Sequence, residues 1–134
     1  MKVREFMTTK IESMEADQSV YDAIEKMVDR RIRSLLVKLS GQDRDHGVIT
    51  ARDIVFKVLA KGMDPKKTKV SEIASRPIVC IDVNTDFREA AKIMEDSKIA
   101  RVFVCEKDKI MGVVALMDVM SATLIMRARG EHVS

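Results

Sequence analysis

Gly47 to Asp53 reads GVITARD, and Gly112 to Asp118 reads GVVALMD. A glycine, two adjacent apolar residues and a closing aspartate recur, while Thr50 and Arg52 of the first stretch meet Ala115 and Met117 in the second. Each stretch runs from an apolar segment with strand character into one with helical spacing, so it marks a strand-to-helix joint. Sliding the chain along itself from these anchors extends the likeness. Val3 falls on Val70, Ile11 on Ile78, Ala23 on Ala90, Met27 on Met94, Ile32 on Ile99 and Val37 on Val104, an offset of 67 residues. The offset falls to 65 at Gly47 and Gly112, because the polar run LSGQDRDHG makes the first copy two residues longer. A loop tolerates such an insertion.

Working outward, each copy has the same order of elements. A short apolar segment (KIESM; PIVCI) precedes a capping-box pattern, Ser19 with Asp22 in one copy and Asp86 with Glu89 in the other. The helix that follows carries one apolar face: Val20, Ala23, Ile24 and Met27, matched by Phe87, Ala90, Ala91 and Met94. Two apolar runs come next, SLLVKL with HGVIT and ARVFVC with MGVVA, the second pair separated by the turn-like Glu106, Lys107, Asp108 and Lys109. That is a hairpin signal. A second helix closes each copy, with Gly62 and Gly130 as its expected stops.

The unit is therefore β-α-β-β-α, a small three-stranded sheet with two helices, of the α/β (α+β) class. One copy of about 60 residues buries too little apolar surface to stand alone, so two copies are expected to pack on each other with pseudo-two-fold symmetry. The linker KGMDPKKTK sets the repeats at residues 1–62 and 63–134.

The 134 residues are 46% hydrophobic and 34% charged, a globular composition with a net charge of only +3. No apolar run approaches the roughly 20 residues of a membrane span, and MKVREFMTTK lacks the apolar core of a signal peptide. The expectation is a cytoplasmic protein with no membrane partner. Cys80 and Cys105 lie in β-branched runs without a CxxC partner or clustered histidines, and are read as buried core thiols, with no metal site. Phosphate-loop and dinucleotide fingerprints are missing, and neither His46 nor His132 has a recognisable partner, so an enzyme is not expected.

With this order of elements, and with Gly-apolar-apolar-Thr-x-x-Asp opening the last helix, the chain resembles a tandem pair of CBS (cystathionine-β-synthase-type) domains, a Bateman module. Val3, Phe6 and Met7 before the first strand match Val70, Ile73 and Ala74, and RIRSLLV matches KIARVFV at the second strand. The resemblance implies a stand-alone regulatory sensor for an adenine nucleotide (AMP, ADP or ATP), bound in clefts between the repeats. The closing aspartate would hold the ribose hydroxyls, because a carboxylate accepts from both members of a vicinal diol, and a helix start with guanidinium groups suits phosphate.

Carried over residue by residue, the main cleft uses Asp53, Thr50 and Val48, with Pro77, Ile78 and Val79 along the base and Arg33, Arg52 and Arg101 toward phosphate. The second, weaker cleft uses Asp118 and Val113 with Lys10, Ile11 and Glu12. Ala100, Met117, Ser34 and Ala115 there replace the three arginines and the hydroxyl. The main cleft is thus furnished for phosphate and the second is not.

Duller readings stand beside these. Asp53 and Asp118 suit the positive end of a helix, Thr50 suits a cap, and Arg33 and Arg101 suit solvated strand ends. A ligand-free dimerisation scaffold is the alternative function, carried by Val55, Val58, Leu59, Met120, Leu124 and Met126 on the second helices. Nucleic-acid binding comes third: Arg30, Arg31, Arg33, Lys66, Lys67 and Lys69 motivate it, but 4% aromatics with no Trp give little stacking surface. A sensor without a fused effector would act as a homodimer on a regulated protein in trans, through a shift in the angle between repeats.

Overall fold

The computed structural model describes residues 1–39 and 45–131. Much of the expected loop insertion, residues 40–44, and His132 lie outside the described residues. Two three-stranded sheets are present, ordered β1-β2-β3 and β4-β5-β6. The elements are β1 (Ser13–Glu15), α1 (Val20–Arg30), β2 (Ser34–Lys38), β3 (His46–Thr50), α2 (Ala51–Asp53, continuing as a π-helix over Ile54–Leu59), α3 (Val70–Ile73), β4 (Cys80–Asp82), α4 (Phe87–Ser97), β5 (Arg101–Glu106), β6 (Lys109–Ala115) and α5 (Leu116–Ala128). A 3-10 turn at Val3–Glu5 precedes them.

In each sheet the first two strands are parallel, bridged by a helix, and the last two form an antiparallel hairpin. The expected β-α-β-β-α order is therefore found twice. Lys107 and Asp108 both take positive φ (48° and 68°), the left-handed conformation a tight two-residue hairpin turn requires. Gly62 and Gly130 also lie at positive φ (69° and 75°), as expected of residues that end a helix. Ser19 caps α1: its hydroxyl accepts from the Asp22 N–H at 3.0 Å and its own N–H donates to Asp22 at 3.4 Å. α4 is capped differently from the expected Asp86–Glu89 box, because Asp86 accepts from the Arg88 N–H at 3.1 Å and from the Met1 ammonium at 3.2 Å.

The apolar faces read from the sequence form the cores. Val20, Ala23 and Met27 are buried with Leu35, Val37 and Ile49, while Ala90 and Met94 are buried with Val102, Val104 and Val114. Each fully buried Val or Ile contributes about 1.5–3 kcal/mol.

The compact units do not coincide with the sequence repeats. One unit is Ile11–Ile78; the other joins Met1–Lys10 to Val79–Ser134. Val3 packs in the core with Ile81, Val83 and Val104, and its N–H donates to the Thr85 carbonyl at 2.8 Å. Val70 lies in the other core with Val20 and Ile49. The turn before each first strand thus completes the sheet of the opposite repeat.

The cysteines require a correction. Cys80 and Cys105 are joined as a disulfide with a Cα–Cα distance of 5.7 Å, and Cys80 is exposed rather than buried. Successive strand residues point to opposite faces, so Ile81 turns into the core and Cys80 away from it. The β4–β5 register pairs Cys80 with Phe103 and Asp82 with Cys105, which brings the two cysteines to one face of neighbouring strands.

Candidate functional site

The decisive joint lies in the Ile11–Ile78 unit. β3 ends at Thr50, and α2 begins at once because Thr50 is extended (φ −116°) and caps it. The Thr50 hydroxyl accepts from the Asp53 N–H at 3.0 Å, and the Thr50 N–H donates to Asp53 Oδ2 at 2.9 Å. The capping role foreseen for Thr50 is therefore real. It leaves the hydroxyl proton available to donate. The Asp53 side chain is 15% exposed, and its Oδ1 accepts from the Lys57 ammonium at 3.1 Å.

Gly47 explains how the segment that leads to Pro77 comes alongside. A Cβ at Gly47 would stand 3.0 Å from the Ser75 carbonyl oxygen and 3.1 Å from the Ala74 Cβ. Glycine lets the two backbones approach, and Val48 and Ser75 then exchange hydrogen bonds of 3.0 and 2.9 Å. Pro77 and Ile78 follow two and three residues later, with Pro77 exposed and Ile78 half-buried. Arg33 joins the site through its carbonyl, which accepts the Ala51 N–H at 2.9 Å; its side chain is exposed. Arg52 stacks over Phe56, 4.9 Å from the ring centroid. Val79 and Arg101 belong to the other unit.

That unit repeats the joint with altered chemistry. Thr8 and Val113 exchange two hydrogen bonds of 2.9 Å, as Ser75 and Val48 do. Ala115 N–H donates to Asp118 Oδ2 at 2.8 Å, but Ala115 has no hydroxyl to accept from Asp118. Asp118 Oδ1 accepts from the Thr8 hydroxyl at 3.4 Å, where Asp53 has an ammonium. Lys10 is exposed in this unit, whereas Ile11 and Glu12 fall in the Ile11–Ile78 unit. Glu12 is paired there with Arg30 at 2.6 Å and Lys26 at 3.7 Å. Among the described residues no group of three or more His, Cys, Asp and Glu side chains could hold a metal ion, and no helix is long and apolar enough to cross a membrane.

Sequence reasoning passed over Lys57 and Phe56. Lys57 stands four residues beyond Asp53, the spacing at which opposite charges meet on a helix, and that spacing could have revealed it.

A model of the CBS domain matches this chain twice, over residues 3–60 and 70–124. The chain belongs to the CBS-domain family, as a tandem pair. Hypoxic response protein 1 of Mycobacterium tuberculosis is 30% identical over 116 residues, 87% of this chain and 80% of that protein. A CBS domain-containing protein of Arabidopsis thaliana is 30% identical over 115 residues, 86% of this chain, but the chain spans only 21% of its length. Among solved structures, the hexameric CBS-CP12 protein from bloom-forming cyanobacteria shares the fold with a TM-score of 0.86 at 25% identity, over 99% of this chain and 76% of that one. Hypoxic Response Protein I, solved with two coordinated zinc ions, gives 0.76 at 28% identity, over 90% of this chain and 98% of that one.

Proposed function

We propose that this CBS pair is a non-enzymatic regulatory module that binds an adenine nucleotide at the Asp53 joint and acts on a partner protein in trans. The observation that carries the reading is the state of the Asp53 carboxylate. It is largely buried, fixed by the Thr50 N–H and Lys57, and flanked by the backbone segment leading to Pro77 and Ile78. A carboxylate offers about four acceptor positions. Two are taken, which leaves two for a ribose diol. The Thr50 hydroxyl proton, Arg33 and Arg52 supply donors for phosphate, and the Asp118 joint has Ala115, Ala100 and Met117 in their places.

A thermal-shift panel of AMP, ADP, ATP and S-adenosylmethionine tests it. A ligand at a hundredfold excess over Kd stabilises the fold by about 2.7 kcal/mol, a rise in Tm of roughly 10 °C for a chain of this size. No shift with any adenine nucleotide would refute the reading.

Self-association is a second reading, favoured by a specific surface. Leu116, Met120 and Leu124 stand four residues apart on α5 and are 55%, 57% and 67% exposed. Beside them a groove of about 610 Å³ is lined by Met94, Ile99, Leu116, Val119 and Met120. Val58 and Met126, expected on the same surface, are instead buried in the cores, at 0% and 6% exposure. The Leu124→Glu variant should reduce the molecular mass measured by light scattering; an unchanged mass above the monomer value would exclude this face.

A further inference from the structure

The two joints share the carboxylate, the return bond to the capping residue and the approach of the preceding backbone. They differ in what meets the second carboxylate oxygen. At Asp118 it is the neutral Thr8 hydroxyl. At Asp53 it is the Lys57 ammonium at 3.1 Å, which also reaches the Ile73 carbonyl oxygen at 3.4 Å. The position of Lys57 in the second repeat is occupied by Ala122, fully buried in its core, so the matching side chain carries no charge.

The helix itself differs in the same place. α5 is a regular α-helix across the matching stretch, whereas Ile54–Leu59 is π-helical, with Ala60 N–H donating to the Val55 carbonyl at 2.8 Å. π-helical turns are uncommon and concentrate at functional sites. Lys57 stands four positions beyond Asp53, the spacing at which opposite charges meet on a helix. Lys57 is thus tied to the carboxylate by its own helix and to Ile73 at the end of α3. These contacts use two of the three ammonium donors.

We propose that Lys57 is the residue that makes the Asp53 site selective for a phosphorylated ligand: a positioning residue that holds the carboxylate for the ribose and offsets its charge. This rests on the nucleotide reading above. A bare carboxylate beside the site repels every phosphate charge brought to it, and in a largely buried setting that repulsion is weakly screened. With the ammonium in place the net local charge is near zero, and Arg33 and Arg52 attract the phosphate unopposed. The diol contacts need only the carboxylate oxygens, so an uncharged nucleoside depends on Lys57 far less.

Calorimetric titration of the full chain with adenosine, AMP and ATP, for wild type, Lys57→Met, Lys57→Gln and Asp53→Asn, tests this. Both Lys57 variants should weaken AMP about 10-fold and ATP by more, while adenosine changes by less than about 3-fold. Asp53→Asn should weaken all three. Equal losses for adenosine and AMP in both Lys57 variants would overturn the proposal and leave the nucleotide reading intact, since a merely structural role moves both alike. Wild type that binds none of the three would overturn both.

Discussion

Replacing Asp53 and Asp118 in turn by Ala sets two nearly equal structural losses against two unequal functional ones. Asp53→Ala removes the bond from the Thr50 N–H (2.9 Å), about 1 kcal/mol. It also removes the Lys57 pair, worth about 0.3–0.5 kcal/mol because Lys57 is half exposed. Asp118→Ala removes the Ala115 N–H bond (2.8 Å), again about 1 kcal/mol, and the long Thr8 contact, worth a few tenths. Both variants should therefore unfold with a stability lower by about 1–1.5 kcal/mol, roughly 5 °C in Tm. Affinity should separate them. Two ribose hydroxyls donating to Asp53 are worth about 1.5–3 kcal/mol each, so its loss should weaken AMP by roughly 10²–10⁴-fold, and loss of Asp118 by less than about 3-fold. Urea unfolding gives the first quantity and calorimetric titration the second. Equal losses of AMP affinity would refute the assignment of the nucleotide to the Asp53 joint.

Other expectations concern the scaffold. Gly112→Ala would place a Cβ 2.6 Å from Met7 Sδ and 2.9 Å from the Thr8 carbonyl oxygen. The thioether can swing aside but the backbone cannot, so urea unfolding should show a loss of about 1–3 kcal/mol, against less for Gly47→Ala. The Cys80–Cys105 disulfide spans 25 residues of chain, and by loop entropy contributes about 3.5 kcal/mol under oxidising conditions. Dithiothreitol should lower the Tm of wild type by roughly 10 °C and leave Cys105→Ser unmoved; equal Tm values with and without reductant in wild type would contradict it. Glu5 is held below its ordinary value of 4.5, first by the Lys2 N–H and then by Arg129. On acidification the unfolded chain takes up this proton first, so the contribution is complete above pH 4.5 and is lost as pH falls through the lower folded value. Glu5→Gln should flatten that part of an acid-unfolding profile, and an unchanged profile would count against it.

Legibility followed the range of the interaction. The repeat, the strand and helix order, the Ser19 cap, the Gly62 and Gly130 stops and the Lys107–Asp108 turn all depend on neighbours within a few residues, and spacing revealed them. Thr50 and Asp53 were visible for the same reason. Asp86 caps α4 as its position predicts, but through the Arg88 N–H in place of a box with Glu89, and the Met1 ammonium it also holds lies 85 residues away, beyond the reach of local spacing. The apolar runs around Cys80 and Cys105 were read as wholly buried, whereas these strands are short and the side chains alternate between faces.

By itself, then, the sequence determined the family, the twofold β-α-β-β-α plan and the unequal furnishing of the two aspartate joints, since each is written in local periodicity and residue chemistry. The tertiary structure decided which segments complete which sheet, that the two cysteines meet, and that Lys57, already at helical spacing from Asp53, also reaches the Ile73 carbonyl at the end of α3. These depend on backbone approach at Gly47 and Gly112 and on strand register, which bring groups together through geometry that neighbouring residue types alone do not specify.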